Sequence, residues 1–483
     1  MERVDRRIAG SDLFWTALLV FGMIGACGVI TAGLLRFSPA LVAAAVCALL
    51  GCAAILRFPY AGIILFMGLL AFRPEQHFPI LESMRLSLLL SAFTLFAWLI
   101  QVMLGRETFR PRVELGWMVL FAAALALSAL RSTVSGAFET GITDAAKLAA
   151  LFVLFQQLPN SEARLYGAMH WLLAFNVYLA LHAAYGWYTG SMVMMEHGQP
   201  RAIVANGNYD DPNDLAAALV VSVPLALCLL TSGRFWSRLW GGLALAALLT
   251  TVFLTYSRGG MMAAVAGMTL FCGHRFGWVR TAIVGSVLLV ALMAIGPDRF
   301  TAESLEGDDS TLGRIYAWEA GLGMLAASPL LGVGYEKFIV LHGLAPHNSL
   351  VQVSAEGGLL GAVAWVGLNY WAALTLVRVW RRRREADEDV HAVVPPKESA
   401  SPELSTYAVV LLAGLVASLV AQFFLHHAYR PQPLIPVALA AAFAVVAGVT
   451  AREKQSNWAH FLAVPAVTLL GIGFIWAAVV TGK

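Results

Sequence analysis

Apolar residues in this chain come in long unbroken runs rather than in the alternating or stripe-like patterns of soluble domains. Leu13–Leu35, Leu239–Phe253 and Ala282–Ile295 are examples, and such runs recur to the end of the chain. A helix needs roughly 20 mostly apolar residues to cross a bilayer. The pattern predicts up to fifteen spans, at 13–35, 39–56, 59–72, 84–104, 114–131, 141–158, 165–189, 213–231, 237–255, 259–273, 278–296, 348–377, 405–427, 433–450 and 458–480. The segments at 39–56, 59–72 and 259–273 are short enough to be tilted or re-entrant. The expected fold is all-α, a polytopic transmembrane helical bundle of about 12–15 spans with a large outer-face loop that contains short surface helices. It divides into N-terminal membrane helices (1–296), a large loop (297–346) and C-terminal membrane helices (347–483) with a cytoplasmic loop at 381–403.

Charge assigns the sides. With the N-terminus placed in the cytoplasm, most Lys and Arg fall on cytoplasmic segments, including Arg3, Arg6 and Arg7 and the Arg378–Arg384 cluster. The remainder are spread over longer outer loops, as the positive-inside rule requires. Only 13% of residues are charged and the net charge is +3, which argues against a nucleic-acid partner. The five cysteines lie in or at the ends of apolar runs without metal or disulfide spacing. The basic start, Met1–Gly10, precedes an apolar run too long for a signal-peptide core, so a first membrane helix is expected there.

Two outer segments are long, Thr189–Asp211 and Gly296–Pro346. Within the second, Ile315, Trp318, Leu322 and Leu325 recur at helical steps, predicting a helix over Thr311–Ala327 that lies on the membrane surface with Trp318 at the interface. Outer arginines run against the charge rule and need a reason. Arg258 sits in Thr255-Tyr256-Ser257-Arg258-Gly259-Gly260, between two apolar runs with almost no loop. An unpaired charge there is costly, the glycines admit close approach, and a guanidinium matches phosphate oxygens. A snorkelling arginine at a helix end is the other reading. Arg314 opens the surface helix, where a solvated arginine is equally expected. His347 follows Pro346 at the start of a long span, where a helix N-terminus disfavours imidazolium; an interfacial histidine or cap is the alternative.

Other polar groups have structural explanations. Asp211 before Pro212 fits an N-cap with proline at the first helical position, which is preferred over a metal site in Asp210–Asp214. His426 and His427 are adjacent and point differently on a helix, so joint chelation is not expected. Asp144 and Lys147 can pair, and Glu356, inside its span, needs a partner or a polar cavity. Gly357 and Gly361 have the spacing of a helix contact. No metal site, cofactor or nucleotide-binding loop is expected.

In order along the chain stand Gly207-Asn208-Tyr209-Asp210-Asp211-Pro212-Asn213-Asp214-Leu215-Ala216, the Thr255–Gly260 piece, Gly313-Arg314-Ile315-Tyr316-Ala317-Trp318, Ser328-Pro329-Leu330-Leu331-Gly332-Val333-Gly334, and His347-Asn348-Ser349-Leu350 with Glu356-Gly357-Gly358-Leu359-Leu360-Gly361. Together they resemble the O-antigen ligase and polymerase superfamily of bacterial envelope glycosyltransferases, and the first piece is similar to its exosortase-associated branch of O-glycosylation ligases. The resemblance implies a multi-pass inner-membrane enzyme with its active site facing the periplasm. It implies transfer of a glycan from undecaprenyl pyrophosphate to an acceptor hydroxyl, on lipid A core, a protein or a growing glycan, without metal or nucleotide. By this resemblance His347 is the base, Arg258 and Arg314 bind the pyrophosphate, and Arg201 holds a second phosphate or the sugar. A polymerase of the same superfamily is the alternative within this class. A transporter or flippase of lipid-linked sugars is the alternative outside it, although no internal repeat is evident.

Overall fold

The computed structural model describes residues 39–74, 85–196, 198–205, 207–295, 309–388, 402–448 and 457–482. The span expected at 13–35 lies outside them. Seventeen helices and one two-stranded hairpin make up the described chain. In order these are α1 (Pro39–Arg57), α2 (Tyr60–Phe72), α3 (Leu86–Met103), α4 (Val113–Arg131), α5 (Ala137–Gln157) and α6 (Glu162–Thr189), then β1 (Val193–Glu196) and β2 (Gln199–Ala202). There follow α7 (Pro212–Val220), α8 (Val223–Leu230), α9 (Phe235–Leu254), α10 (Arg258–Phe276), α11 (Trp278–Ile295), α12 (Asp309–Ala327) and α13 (Lys337–His342). The last are α14 (Ser349–Glu388), α15 (Pro402–Phe423), α16 (Pro431–Val446) and α17 (Asn457–Thr481).

The protein is a polytopic helical bundle. Among the described residues six helices (α3, α4, α9, α14, α15 and α17) have the length and apolarity of membrane spans, and the bent pair α7–α8 makes a seventh when counted as one span. The other expected spans among the described residues are also helices, and some of them are shorter or more polar. α5 carries Glu139, Asp144 and Lys147, and α16 has only 16 residues.

The chain forms two compact units. In the first, residues 1–66 and 89–108, the Gln101 amide donates to the Leu56 carbonyl at 2.6 Å, a helix-to-helix bond that stabilises a polar group inside an apolar pair. The second unit, residues 67–88 and 109–483, holds every candidate residue. Its axis is α14, which packs against α4, α12, α15, α16 and α17.

Two local breaks shape this unit. α14 is interrupted at Gly358, whose φ of 63° and ψ of −162° are open only to glycine. The Pro329–Gly334 segment enters the break: Leu359 N–H donates to Pro329 O, Val333 N–H to Ala355 O, and Gly334 N–H to Glu356 O. A Cβ on Gly358 would lie 2.4 Å from the Leu330 carbonyl carbon. The expected glycine helix contact at Gly357 and Gly361 is therefore a loop latch centred on the glycine between them. The second break divides the 213–231 span at Val221 and Ser222 with a bend of 41°. Pro224 has no N–H to give to the preceding turn. Ser222 N–H shortens its bond to Leu219 O, and Asn176 Nδ2 donates to the Ala218 carbonyl at 2.9 Å.

Other expectations compare as follows. The Thr311–Ala327 helix is present as α12, but Trp318 is buried, donates from Nε1 to Pro346 O at 3.1 Å and packs with Phe338, Val351 and Ile475. Its apolar face meets α14 and α17 rather than serving as an interfacial anchor. The helix α14 continues through Arg381–Arg384 to Glu388, where a linker was expected. Asp144 and Lys147 pair at 3.0 Å. Glu356 is buried and finds the Phe338 N–H at 3.3 Å and the Tyr429 hydroxyl.

Candidate active site

The turn Thr255–Gly260 forms the base of the site. Tyr256 adopts a positive φ of 50°, which turns the chain sharply between α9 and α10. Ser257 caps α10 by accepting from Gly260 N–H at 3.1 Å. Arg258 is thereby the first residue of a 19-residue helix, and its side chain starts from the positive end of the helix dipole. The two glycines are needed for packing: a Cβ on Gly259 would sit 2.9 Å from Phe424, and one on Gly260 would sit 2.5 Å from Ala216.

The β1–β2 hairpin, which was expected only as part of an outer loop, delivers Arg201. This side chain is 4% exposed and fully engaged. Its Nε donates to Thr255 O at 2.8 Å, Nη2 to Asn213 Oδ1 at 3.1 Å, and Nη1 to Glu196. It ties the hairpin to the Arg258 turn and to the start of α7. Arg314, from the first turns of α12, lies with its guanidinium carbon 5.9 Å from the Phe424 ring centre. Arg201, Arg258 and Arg314, separated by up to 113 positions in sequence, line one cavity with Glu196, Asn213 and Phe424. The cavity has an empty volume of about 530 Å³, open solvent included. Arg258 and Arg314, beside the Arg201–Glu196 pair and a helix N-terminus, give this cavity a positive lining of the kind that suits an anion.

His347 is half-buried, with a positive φ of 46°. The cap of α14 is the next residue: Asn348 Oδ1 accepts from Leu350 N–H at 2.9 Å and Val351 N–H at 3.1 Å. His347 is thus one residue outside the cap, free of the helix ladder. Its ring meets His426 edge to face, with centroids 5.5 Å apart. Burial, and then the Arg314 charge, hold the His347 pKa below the ordinary imidazole value, while Asp211 and Asp214 oppose the shift. Burial with the neighbouring His427 and His347 pulls His426 down to about 4. Among the described residues, the Nδ1 atoms of both rings are buried without a hydrogen-bond partner. Both imidazoles are neutral at pH 7, the form that accepts a proton.

Residues 243–366 match the family model described as O-Antigen ligase. This match supports the O-antigen ligase and polymerase superfamily. No curated protein matches the chain significantly. A chain from the solved structure titled "Structural coordination of polymerization and crosslinking by a peptidoglycan synthase complex" is similar at 17% identity. The match covers 68% of this chain and 96% of that one, with a TM-score of 0.39.

The match supports ligase- or polymerase-like glycan transfer in general, and together with the apolar helices it points to a multi-pass bacterial membrane protein. The matched stretch includes Arg258, Arg314 and His347, whereas Arg201 lies before it. Beyond both ends of that stretch stands a pair that the linear sequence did not reveal. His427 Nε2 is 2.7 Å from Asp214 Oδ1, and Arg430 Nη1 is 3.0 Å from Asp214 Oδ2. These residues are 213 positions apart, so no spacing signals them. The only hint was that Asp211, not Asp214, fits a cap. Asp211 is the cap, accepting from Asn213 N–H at 2.7 Å.

Proposed function

We propose that the protein transfers a glycan from undecaprenyl pyrophosphate to an acceptor hydroxyl at the periplasmic face of the bacterial inner membrane. The observation that carries this reading is the convergence of three arginines on one cavity, with Arg314 acting electrostatically on a half-buried His347. A pyrophosphate is the anion such a site suits. Two guanidinium groups on separate elements can each take a phosphoryl group, and the α10 N-terminus adds positive potential.

In this mechanism His347 accepts the proton of the acceptor hydroxyl. The hydroxyl oxygen forms the new bond to the anomeric carbon. The bond from that carbon to the phosphate oxygen breaks, and its electron pair leaves on the pyrophosphate. One displacement inverts the anomeric carbon. Arg258 and Arg314 stabilise the leaving group most as its charge grows, which lowers the barrier rather than merely binding substrate. Arg201, already engaged by Thr255, Glu196 and Asn213, fixes the wall and orients the Arg258 turn, so its part is positioning rather than direct contact with a second phosphate or the sugar. No metal is required in this scheme.

Reconstitution tests it. Purified protein in nanodiscs is given undecaprenyl-pyrophosphate glycan and candidate acceptors, and products are resolved by size. A single transfer product supports a ligase, and a ladder of repeat lengths supports a polymerase. Transbilayer movement of the donor without a new glycosidic bond would overturn the reading in favour of a flippase.

A further inference from the structure

An imidazole that takes a proton at one nitrogen must carry a proton on the other before it reacts, and that N–H needs a partner. In carboxylate–histidine pairs the partner is a carboxylate. His347 has none in that role. Its Nδ1 is buried and, among the described residues, has no hydrogen-bond partner. Asp214 acts on His347 only through its charge, since Oδ1 is taken by His427 and Oδ2 by Arg430. With Nδ1 inside the fold, Nε2 is the nitrogen left for the acceptor hydroxyl. The proposed reaction thus calls for the Nδ1–H tautomer, and a buried N–H has to be satisfied.

The ring packed on His347 is His426. Its Nδ1 is likewise buried without a partner among the described residues, and the two rings meet edge to face with centres 5.5 Å apart. One N–H and one bare nitrogen complement each other, whereas two alike are both left unsatisfied. The χ2 torsion of histidine is broad, so a small ring rotation, or one bridging water, joins the two nitrogens. Hydrogen bonds of this kind often tighten only when substrate is bound.

The backbone under both rings is pinned. Ser349, two residues after His347, grips the chain on either side of His426: its Oγ donates to Leu425 O at 2.7 Å and accepts from His427 N–H at 3.0 Å. The His427 ring is fixed in turn, with Nε2 2.7 Å from Asp214 Oδ1. Before His347, the Trp318 indole donates to Pro346 O, and after it Asn348 caps α14. The groups that act on His426 are His427, His347, Arg430 and Asp214. Burial and the first three outweigh the single carboxylate and pull the His426 pKa down to about 4. At neutral pH His426 therefore keeps a bare nitrogen that can accept.

We propose that His426 is a positioning residue for the base: its Nδ1 accepts the Nδ1–H of His347 and so fixes His347 in the tautomer whose Nε2 takes the acceptor proton. This inference rests on the glycan-transfer reading. As the hydroxyl proton moves to Nε2, His347 becomes an imidazolium, and its Nδ1–H bond to His426 becomes charge-assisted. The bond is stronger in the transition state than before it, so it speeds the chemical step rather than tightening binding. No proton leaves His347 through it, and His426 touches neither substrate. A neutral imidazole suits this place better than a carboxylate, whose charge would oppose an incoming anion.

The test uses the full chain in nanodiscs with undecaprenyl-pyrophosphate glycan as donor. His426→Phe keeps an aromatic ring against His347 but removes the acceptor nitrogen. His426→Asn removes the ring but keeps an acceptor near the place of Nδ1. His426→Phe should lower kcat about tenfold to a hundredfold, the scale of one hydrogen bond to a charged group, with acceptor KM and donor affinity changed less than about twofold. His426→Asn should recover most of the rate. A residue that only packs would give the reverse order, Phe active and Asn impaired, and that result would overturn the proposal. Nitrogen-15 NMR of labelled histidine reads the tautomer itself, with the His347 signal identified by its loss in His347→Gln. At pH 7 the His347 proton should sit on Nδ1 in the wild-type protein and shift towards Nε2 in His426→Phe. A proton on Nε2 in wild-type protein that transfers glycan would overturn the positioning role alone, even if both variants fail to fold. No transfer by the wild-type protein to any candidate acceptor would overturn the glycan-transfer reading and this inference with it.

Discussion

Replacing His347 with alanine is the most informative perturbation of the proposed chemistry. General-base assistance contributes roughly 10²–10⁴-fold, or about 2.7–5.4 kcal/mol of barrier. His347→Ala should lose that much turnover while donor affinity changes little, because the arginines carry the pyrophosphate. The structure adds a pH signature. Only the neutral imidazole accepts a proton, so the rate rises with pH through the His347 pKa and then levels. Burial and Arg314 hold that pKa below the ordinary value of 6.5, so the wild-type plateau begins on the acid side of it. Arg314→Gln removes one of the three lowering influences, the others being burial and His427, and its inflection should therefore move to higher pH even as donor binding weakens. The assay is single-turnover transfer at saturating donor, from pH 4.5 to 8.5, with donor binding measured separately. His347→Ala should show no inflection of this kind. An inflection that persists in His347→Ala, or that stays in place or moves down in Arg314→Gln, would refute His347 as the base.

Four further outcomes follow from the same geometry. Arg258→Lys keeps the charge but loses the planar fork, so transfer should fall about tenfold or more with insertion and thermal stability intact; full activity would make Arg258 an ordinary helix-end residue. Transfer should survive EDTA, because Asp211 is occupied in capping and Asp214 in binding His427 and Arg430; loss of activity restored by a divalent ion would contradict this. In a cysteine-free background, Glu336→Cys should react with an impermeant thiol reagent from the periplasm and Ala386→Cys should not; the reverse labelling would invert the orientation. Gly358→Ala forces an L residue into a glycine-only conformation against the Leu330 carbonyl, so it should lower the unfolding free energy by roughly 2–3 kcal/mol, read as a drop in Tm; an unchanged Tm would remove the latch.

The hydrophobic runs determined where most helices lie, because burial of a backbone in an apolar medium demands local hydrogen bonding whatever the neighbours are. The pattern set α4 to within a residue at its start and placed α12 inside the long loop at 297–346. Short-range chemistry was equally legible. The Asp211–Pro212 cap and the Asp144–Lys147 pair depend only on residues a turn apart. The unusual charges at Arg258 and Arg314, which stood out in the sequence, line one cavity in the fold. Tertiary packing decided the rest. It engaged all three donor groups of Arg201 and moved the α14 cap from His347 to Asn348. His347 is neutral chiefly through burial, a cause that helix position alone did not give. The break at Gly358 depends on a loop that enters from outside the helix, so the glycine spacing pointed to the wrong kind of contact. The Asp214–His427–Arg430 cluster joins residues more than 200 positions apart. Hydropathy and helical periodicity report only local geometry, and which polar side chains meet between helices is set by how those helices pack.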